Sequence, residues 1–279
     1  MQAGTSDSQR RRRGITMTCS RALVSLVTLV LAALPLSAIE MTQFSGAAHA
    51  YPVMRDLEGK KLGSGDFRQE IEDHLLRIRI SYDLAEGRRI DEQASFEQRP
   101  ELIQKQWSWR ETKGDSVQRE YTVEFDSGKA TARKQEKDGP KTWSEKVEIE
   151  KGRTFAGFGF VLALQNLRDR LVKGETVELR AVGFTPKPRV VSVKLTYHGV
   201  DQMRMSNRLL RGEHFMIKPE IPAIAKLFIK ISDTNIWLTP PPSGFLRWEG
   251  PLAEPSDPLA RVDLASGDES GPAKPVREN

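Results

Sequence analysis

The stretch LLRIRISYDLAEGRRIDEQASFE, residues 75–97, decides the fold class of this chain. In its first half every second side chain is apolar, and these side chains are Leu76, Ile78, Ile80 and Tyr82. A period of two predicts a β-strand with one buried face. Glu86-Gly87 is a turn signal, so we predict that Arg89–Glu97 forms the next strand, antiparallel to the first.

The same pattern continues to residue 150. Further strands are predicted at Leu102–Glu111, Val117–Phe125, Ala130–Glu136 and Trp143–Ile149. Turn signals stand between them, Asp-Ser-Gly at 126–128 and Lys-Asp-Gly-Pro at 137–140. Short strands joined by tight turns predict an antiparallel meander.

A helical pattern interrupts the strands after Gly152. Residues at helical spacing are Val161, Leu164, Leu167 and Leu171, and Lys173-Gly174 is a typical C-terminal stop. We expect one amphipathic helix over about 155–173, after which alternating strands resume from Glu175 to Pro251. The expected fold class is mainly β: a curved antiparallel meander sheet, or half-open barrel, wrapped around this helix, plus an N-terminal signal helix.

The first fifty residues have the organisation of an export signal. Arginines occupy positions 10–13, residues 22–39 form an uncharged apolar run, and Ala48-His49-Ala50 supplies small residues for cleavage. We predict a signal peptide over residues 1–50, cleaved after Ala50, and hence a periplasmic or secreted protein. The alternative is an uncleaved membrane anchor, because the apolar run is about as long as a short membrane span.

Composition predicts the remaining domain boundaries. Residues 51–74 are Gly-rich and charged, which favours a linker or lead-in segment. Residues 75–251 are predicted to form the antiparallel β domain. Residues 252–279 have few large apolar side chains and are predicted to be a disordered tail.

Charge and cysteine content exclude several classes of function. The net charge is +5, but five arginines and only two acidic residues fall within residues 1–50, so the remainder is close to neutral. It has no basic stripe with interleaved aromatics, and we expect no nucleic-acid partner. The single cysteine, Cys19, lies in the predicted signal, which excludes disulfides and cysteine-based zinc sites from the predicted domain. Gly157-Phe158-Gly159 lacks the third glycine of a dinucleotide-binding loop, and no cofactor is expected.

Three histidines in the predicted domain and lead-in are candidates for metal binding or acid–base chemistry: His74, His198 and His214. None has the spacing of a metal-ligand motif, so we predict ordinary surface histidines, no metal site and no catalytic residue. A hydrolase stays open as an alternative. It requires His198, His214 and a carboxylate to converge in a pocket.

Aromatic residues are spread over the predicted strands and the helix. By default they are core residues. The alternative is that the helix does not fill the curved sheet, which leaves an apolar hollow that binds lipid-like ligands.

Three features together resemble known families: the export signal, the passage from Phe155 to Glu175, and the closing segment from Ile236 to Pro251. The chain resembles an exported bacterial family of domains of unknown function, whose members are single antiparallel β domains. It is also similar in pattern to the half-barrel lipoprotein and lipid carriers of the bacterial periplasm, in which a curved sheet wraps a helix. The first family implies no activity and no catalytic residue.

The carriers imply a hydrophobic ligand between sheet and helix. The positions that would line its site are Trp107, Phe160, Leu164, Phe184, Met203, Met205 and Trp237. On this basis we expect a non-enzymatic cell-envelope binding protein for a hydrophobic small molecule or lipid. The alternatives are a structural or assembly factor that binds another envelope protein through exposed strand edges, and the unrecognised hydrolase. Membrane contact is expected only through an uncleaved signal segment.

Overall fold

One large antiparallel sheet accounts for most of the structure. A computed structural model of the chain describes residues 38–205, 208–220 and 232–265. The predicted signal helix and the last fourteen residues of the predicted tail lie outside these ranges. No helix within them is long and apolar enough to cross a bilayer.

The described residues form fifteen strands and one α-helix. In chain order the elements are β1 Ala48–Asp56, β2 Lys61–Glu72, β3 Leu75–Leu84, β4 Arg88–Glu97, β5 Ile103–Lys113, β6 Ser116–Glu124, β7 Lys129–Glu136, β8 Gly139–Lys146, β9 Thr154–Phe155, α1 Gly159–Val172, β10 Val177–Thr185, β11 Lys187–Met205, β12 Arg208–Pro219, β13 Thr234–Leu238, β14 Phe245–Pro251 and β15 Leu259–Ala265. A single 3-10 turn, Ala85–Gly87, joins β3 to β4.

The sheet consists of two meanders joined in the middle. Its strand order is β8-β7-β6-β5-β4-β3-β2-β1-β15-β14-β13-β12-β11-β10-β9. Every described pairing is antiparallel except the short pair of β9 with β10. The meander predicted from residue 75 onward is confirmed. In the described residues β8 and β9 end the sheet without pairing to each other, so the sheet is open.

The two meanders nevertheless pack against each other through their side chains. Phe184 of β10 stacks on Tyr121 of β6 and on Trp107 of β5, with ring centroids 4.6 and 5.7 Å apart. In the strand order of the sheet, ten strands lie between β10 and β6, and nine lie between β10 and β5. The sheet therefore curls until its distant strands meet through aromatic rings, which stabilise such contacts beyond simple burial.

The single helix lies where the sequence predicts it. Residues 159–172 are helical, and the chain leaves the helix through Gly174, whose φ of +91° suits the glycine that follows a helix. The predicted apolar positions are buried, with Leu164 and Leu171 completely enclosed. Phe155 is the last residue of β9, and residues 156–158 lead through a turn into α1 instead of forming the predicted first helical turn.

The sequence predicted a linker or lead-in segment at residues 51–74, but the structure has strands there. These residues contain most of β1 and all of β2. The glycines that suggested a linker serve close strand pairing: a Cβ at Gly63 or Gly65 would lie 2.3 or 2.2 Å from a carbonyl oxygen of β3. Glycine is the residue that permits such an approach.

The prediction of a disordered tail from residue 252 onward is wrong for residues 252–265. β15 pairs with β1 on one side and β14 on the other. The connection between β14 and β15 is held by buried polar contacts, because Glu254 accepts hydrogen bonds from Tyr121 and Lys134, and Asp257 accepts two from Arg119. The apolar alternation at Ala260, Val262 and Leu264 is short, and a polar sequence surrounds it.

The segment before β1 also belongs to the fold. Ile39 is 4% exposed, donates a hydrogen bond to the carbonyl of Gly152 and accepts one from Leu102. The backbone N–H groups of Thr42 and Gln43 both donate to Oδ1 of Asn166 on α1, at 2.7 and 2.9 Å. A boundary after Ala50 would separate these contacts from the domain and cut β1 after its third residue, so the boundary predicted there is misplaced.

The buried position of Ile39 leads to a stability prediction. We expect Ile39→Ala in the full chain to lower the free energy of unfolding by about 2–5 kcal/mol, because it removes enclosed methyl groups and leaves a cavity. Urea unfolding followed by circular dichroism measures the change. Ile71→Ala on β2 is the matched control. Its side chain is 52% exposed, so a change below about 0.5 kcal/mol is expected. Equal effects of the two substitutions would show that residues 38–50 do not belong to the folded domain.

Candidate ligand cavity

An apolar cavity of about 300 Å³ lies within the curl of the sheet. Its walls come from both meanders and from the turn into α1. Aliphatic wall residues include Ile80, Ile90, Val191 and Ile217, and aromatic ones include Trp109, Phe158, Phe245 and Trp248. The volume is at the lower end of the range for small-molecule sites, about 300–1,000 Å³.

The seven predicted ligand-lining residues divide into three groups. Trp107, Phe160 and Phe184 line the cavity. Leu164 is a fully buried core residue that does not reach it. Met203 and Trp237 form a separate small cluster with Leu246, and Met205 packs beside that cluster.

The strand geometry explains why Met203, Met205 and Trp237 are not part of the cavity. The pairing of β11 with β12 shifts register between Tyr197 and Gly199, which marks a β-bulge. Beyond this bulge the hairpin packs its apolar side chains on β13 and β14. Bulges redirect side chains in this way, which explains the positions of Met203 and Met205. Trp237 lies on β13 beside Ile236, which lines the cavity, so strand alternation turns Trp237 to the other face.

Glu92 is a cavity residue that the sequence analysis missed. It lies on β4 directly across from Ile80 and Trp109, both of which line the cavity. Its Oε1 accepts hydrogen bonds from Nε1 of Trp107 at 2.8 Å and from the backbone N–H of Phe158 at 2.9 Å. A signal was present, because an acidic residue interrupts the otherwise apolar row of Ile90, Ala94 and Phe96.

Burial raises the pKa of the Glu92 carboxyl above its ordinary value. The hydrogen bonds from Trp107 and Phe158 favour the charged form but do not cancel this effect. The side chain keeps some accessible surface, although protein atoms surround it closely. We attribute that surface to the cavity, which Glu92 lines. Burial likewise raises the pKa of the neighbouring Tyr82, and the charge of Glu92 adds to the effect.

Gly157 makes the Glu92 hydrogen bonds possible. Its φ is +51°, and a Cβ there would lie 2.0 Å from Oε1 of Glu92 and 2.2 Å from Nε1 of Trp107. Only glycine lets the chain pass this close while it turns into α1. The glycines at 157 and 159 therefore bring the start of the helix close to the sheet.

His198 and His214 do come together, outside the cavity. Their ring centroids are 5.4 Å apart, and Nδ1 of His214 lies 3.5 Å from Oδ2 of Asp201. The other His214 nitrogen contacts Oδ1 of Asn235 at 2.9 Å, and its ring stacks on Trp237. Within the described ranges no hydroxyl group contacts His214, and no three His, Cys, Asp or Glu residues are arranged to hold a metal ion. The hydroxyl group in this cluster belongs to Thr196, whose Oγ1 lies 3.0 Å from Nε2 of His198, and none of these residues lines the cavity.

The open edges of the sheet bear on the assembly-factor alternative. At the β8 edge stand Pro140, Lys141 and Lys146, and Glu145 of this strand lies 3.7 Å from Lys187 of β11. Prolines and lysines on an edge strand discourage the addition of another strand. This edge therefore gives the strand-addition alternative little support.

The fold and the cavity define a class: an open antiparallel β domain with an apolar cavity that contains one carboxyl group. In fold the chain is similar to the crystal structure of a beta-barrel-like protein of domain of unknown function DUF1849 from Brucella abortus. The identity is 12%, the TM-score is 0.45, and the match covers 82% of this chain and 98% of the other. No family model matches the chain, and no curated protein sequence matches it. The similarity brings no function with it.

The raised pKa of Glu92 leads to a pH-dependent stability prediction. Because the folded-state pKa lies above the unfolded one, the stability contributed by this group is complete below the unfolded pKa and is lost as pH rises through the folded pKa. Glu92→Gln keeps an oxygen acceptor for Trp107 and Phe158 but cannot ionise. We expect the unfolding free energy of Glu92→Gln minus that of the unaltered protein to be larger at about pH 8 than at about pH 4. Urea unfolding at both pH values measures this, and a constant difference would contradict the assignment.

Proposed function

We propose that this chain is a non-enzymatic binding protein that holds a hydrophobic, lipid-like ligand in the cavity inside its curled sheet. The cavity itself carries the proposal. Protein interiors are packed about as densely as organic crystals, and voids larger than a water molecule are few. An open apolar space of about 300 Å³ against Trp107, Phe184 and Phe245 is thus an unusual feature that a ligand explains.

The chemistry of the walls supports an apolar ligand. Glu92 and Arg189 are the charged residues among the lining side chains, and Arg189 is exposed. The rest of the surface is dominated by aliphatic and aromatic groups, which favour the transfer of apolar surface out of water. In this proposal the curled sheet acts as a half-open barrel, with α1 closing one part of it.

We also propose that the protein is exported, as the basic and apolar segments of residues 10–39 indicate. The contacts of Ile39, Thr42 and Gln43 support processing before Ile39 rather than after Ala50. We therefore expect the mature protein, isolated from the envelope fraction of its host, to retain Ile39 through Ala50. Intact-mass measurement and N-terminal sequencing test this. A mature chain that starts at Tyr51 would contradict it.

Gly183 offers a way to fill the cavity without disturbing the core. It lines the cavity, and an added Cβ would meet no atom within 4 Å. Gly183→Phe should project a ring into the open space. We expect this variant to bind the apolar dye N-phenylnaphthylamine at least about tenfold more weakly, measured by fluorescence titration.

Ser192→Phe is the matched control for Gly183→Phe. It adds the same ring at an exposed position of β11 and should leave dye binding unchanged. Native mass spectrometry of the protein isolated from its host provides a second measurement, in which bound ligand adds mass to the unaltered protein but not to Gly183→Phe. Binding of dye by both variants alike, together with a ligand-free mass, would contradict a binding function for the cavity.

A further inference from the structure

We propose that the cavity selects amphiphiles with a protonated amine head group, which binds Oε2 of Glu92 while the apolar chain fills the aromatic space. This inference rests on the proposed function, because it names the class of ligand for the same cavity. It concerns one atom, Oε2 of Glu92.

The free carboxylate oxygen is the first observation. Oε1 of Glu92 is occupied by the N–H groups of Trp107 and Phe158. Oε2 accepts no hydrogen bond from the described residues, and it is not among the fully enclosed polar atoms that lack a partner. Since Glu92 lines the cavity, Oε2 is open to it. The two bonds to Oε1 fix the carboxyl group, so the direction of Oε2 is fixed as well.

The charge balance of the cavity is the second observation. Among the described wall residues the ionisable side chains are Tyr82, Glu92 and Arg189. Arg189 is exposed, and neither of the Glu92 hydrogen bonds comes from a cationic group. A buried charge without a partner is costly. A ligand ammonium group supplies the missing positive charge, whereas a ligand carboxylate would meet a like charge.

The aromatic surroundings are the third observation. Trp107 donates a hydrogen bond to Glu92. Tyr82 lies on β3, the neighbour of the Glu92 strand β4, and also lines the cavity. Ring faces attract ammonium groups, most strongly where water is excluded. One face of Trp109 already has Arg119 at 5.1 Å from the ring centre, so the other rings are the available ones. A carboxylate among aromatic rings is thus suited to an amine with an apolar body.

A purely structural role for Glu92 is the competing explanation, because the carboxylate also holds the start of α1 in place. Glutamine keeps the acceptor for Trp107 and Phe158 and removes only the charge. Glu92→Gln therefore separates the two roles. Glu97→Gln is the matched control, since Glu97 lies on the same strand, faces away from the cavity and pairs with Lys105 at 3.2 Å.

The test compares three ligands with the same chain length: dodecylamine, dodecanol and dodecanoate. Each ligand is titrated into the full-length protein loaded with N-phenylnaphthylamine, at the same neutral pH. The ligand concentrations stay below the critical micelle concentration of that ligand. We expect the amine to compete at a concentration at least about tenfold lower than the carboxylate. In Glu92→Gln the advantage of the amine over the alcohol should fall about tenfold, while alcohol binding stays within about threefold. Glu97→Gln should behave as the unaltered protein.

The possible failures are distinguishable. Equal or tighter binding of dodecanoate by the unaltered protein overturns the amine assignment and leaves the hydrophobic binding function standing, whether or not Glu92→Gln folds. An amine preference that persists in folded Glu92→Gln also overturns the assignment. If the dye does not bind, or if none of the three ligands displaces it, the proposed function fails and this inference fails with it.

Discussion

The pairing of β1 with β15 is the interaction on which the rest of this structure depends. It joins residues 51–56 to residues 260–265 in six consecutive antiparallel positions. Each of the two meanders is built from local hairpins, which fold through contacts close in sequence. Among the described residues, only this strand pair joins them into a single sheet. The strands flanking the cavity come from both meanders, so the cavity exists because this long-range pair closes.

The curvature that follows from this pairing explains where the polar groups are. When the two meanders curl together, Phe184 stacks on Tyr121 and Trp107. The hydroxyl of Tyr121 then needs a partner inside the protein, and Glu254 from the connection to β15 accepts it. Buried polar groups are almost always hydrogen-bonded. The connection between β14 and β15 thus supplies the acceptor for the Tyr121 hydroxyl. It also positions β15, the strand that joins the two meanders.

The sequence predicted those parts of the fold that depend on local pattern. The alternation at residues 76–82 and the helical spacing at 161–171 were sufficient for β3 and α1. β1, β2 and β15 were missed because their glycines, prolines and charges resemble a linker, and only their partners make them strands. The sequence predicted a cavity as a kind of site, and three of the seven residues predicted to line it, Trp107, Phe160 and Phe184, lie in the wall of the observed cavity. Met203 and Met205 were misplaced by a bulge in the pairing of β11 with β12, and Trp237 faces away because it alternates with Ile236, which lines the cavity.

Glu92 illustrates where a local rule is broken and why that matters. An acidic side chain on the buried row of β4 conflicts with the alternation that specifies the strand, and its raised pKa shows that burial makes the charged form costly. A leucine there would satisfy the pattern but would leave the N–H groups of Trp107 and Phe158 without their acceptor. Those two bonds account for one oxygen only. Such conflicts concentrate at functional sites, and the second oxygen, which accepts no hydrogen bond from the described residues, belongs to a side chain that lines the apolar cavity.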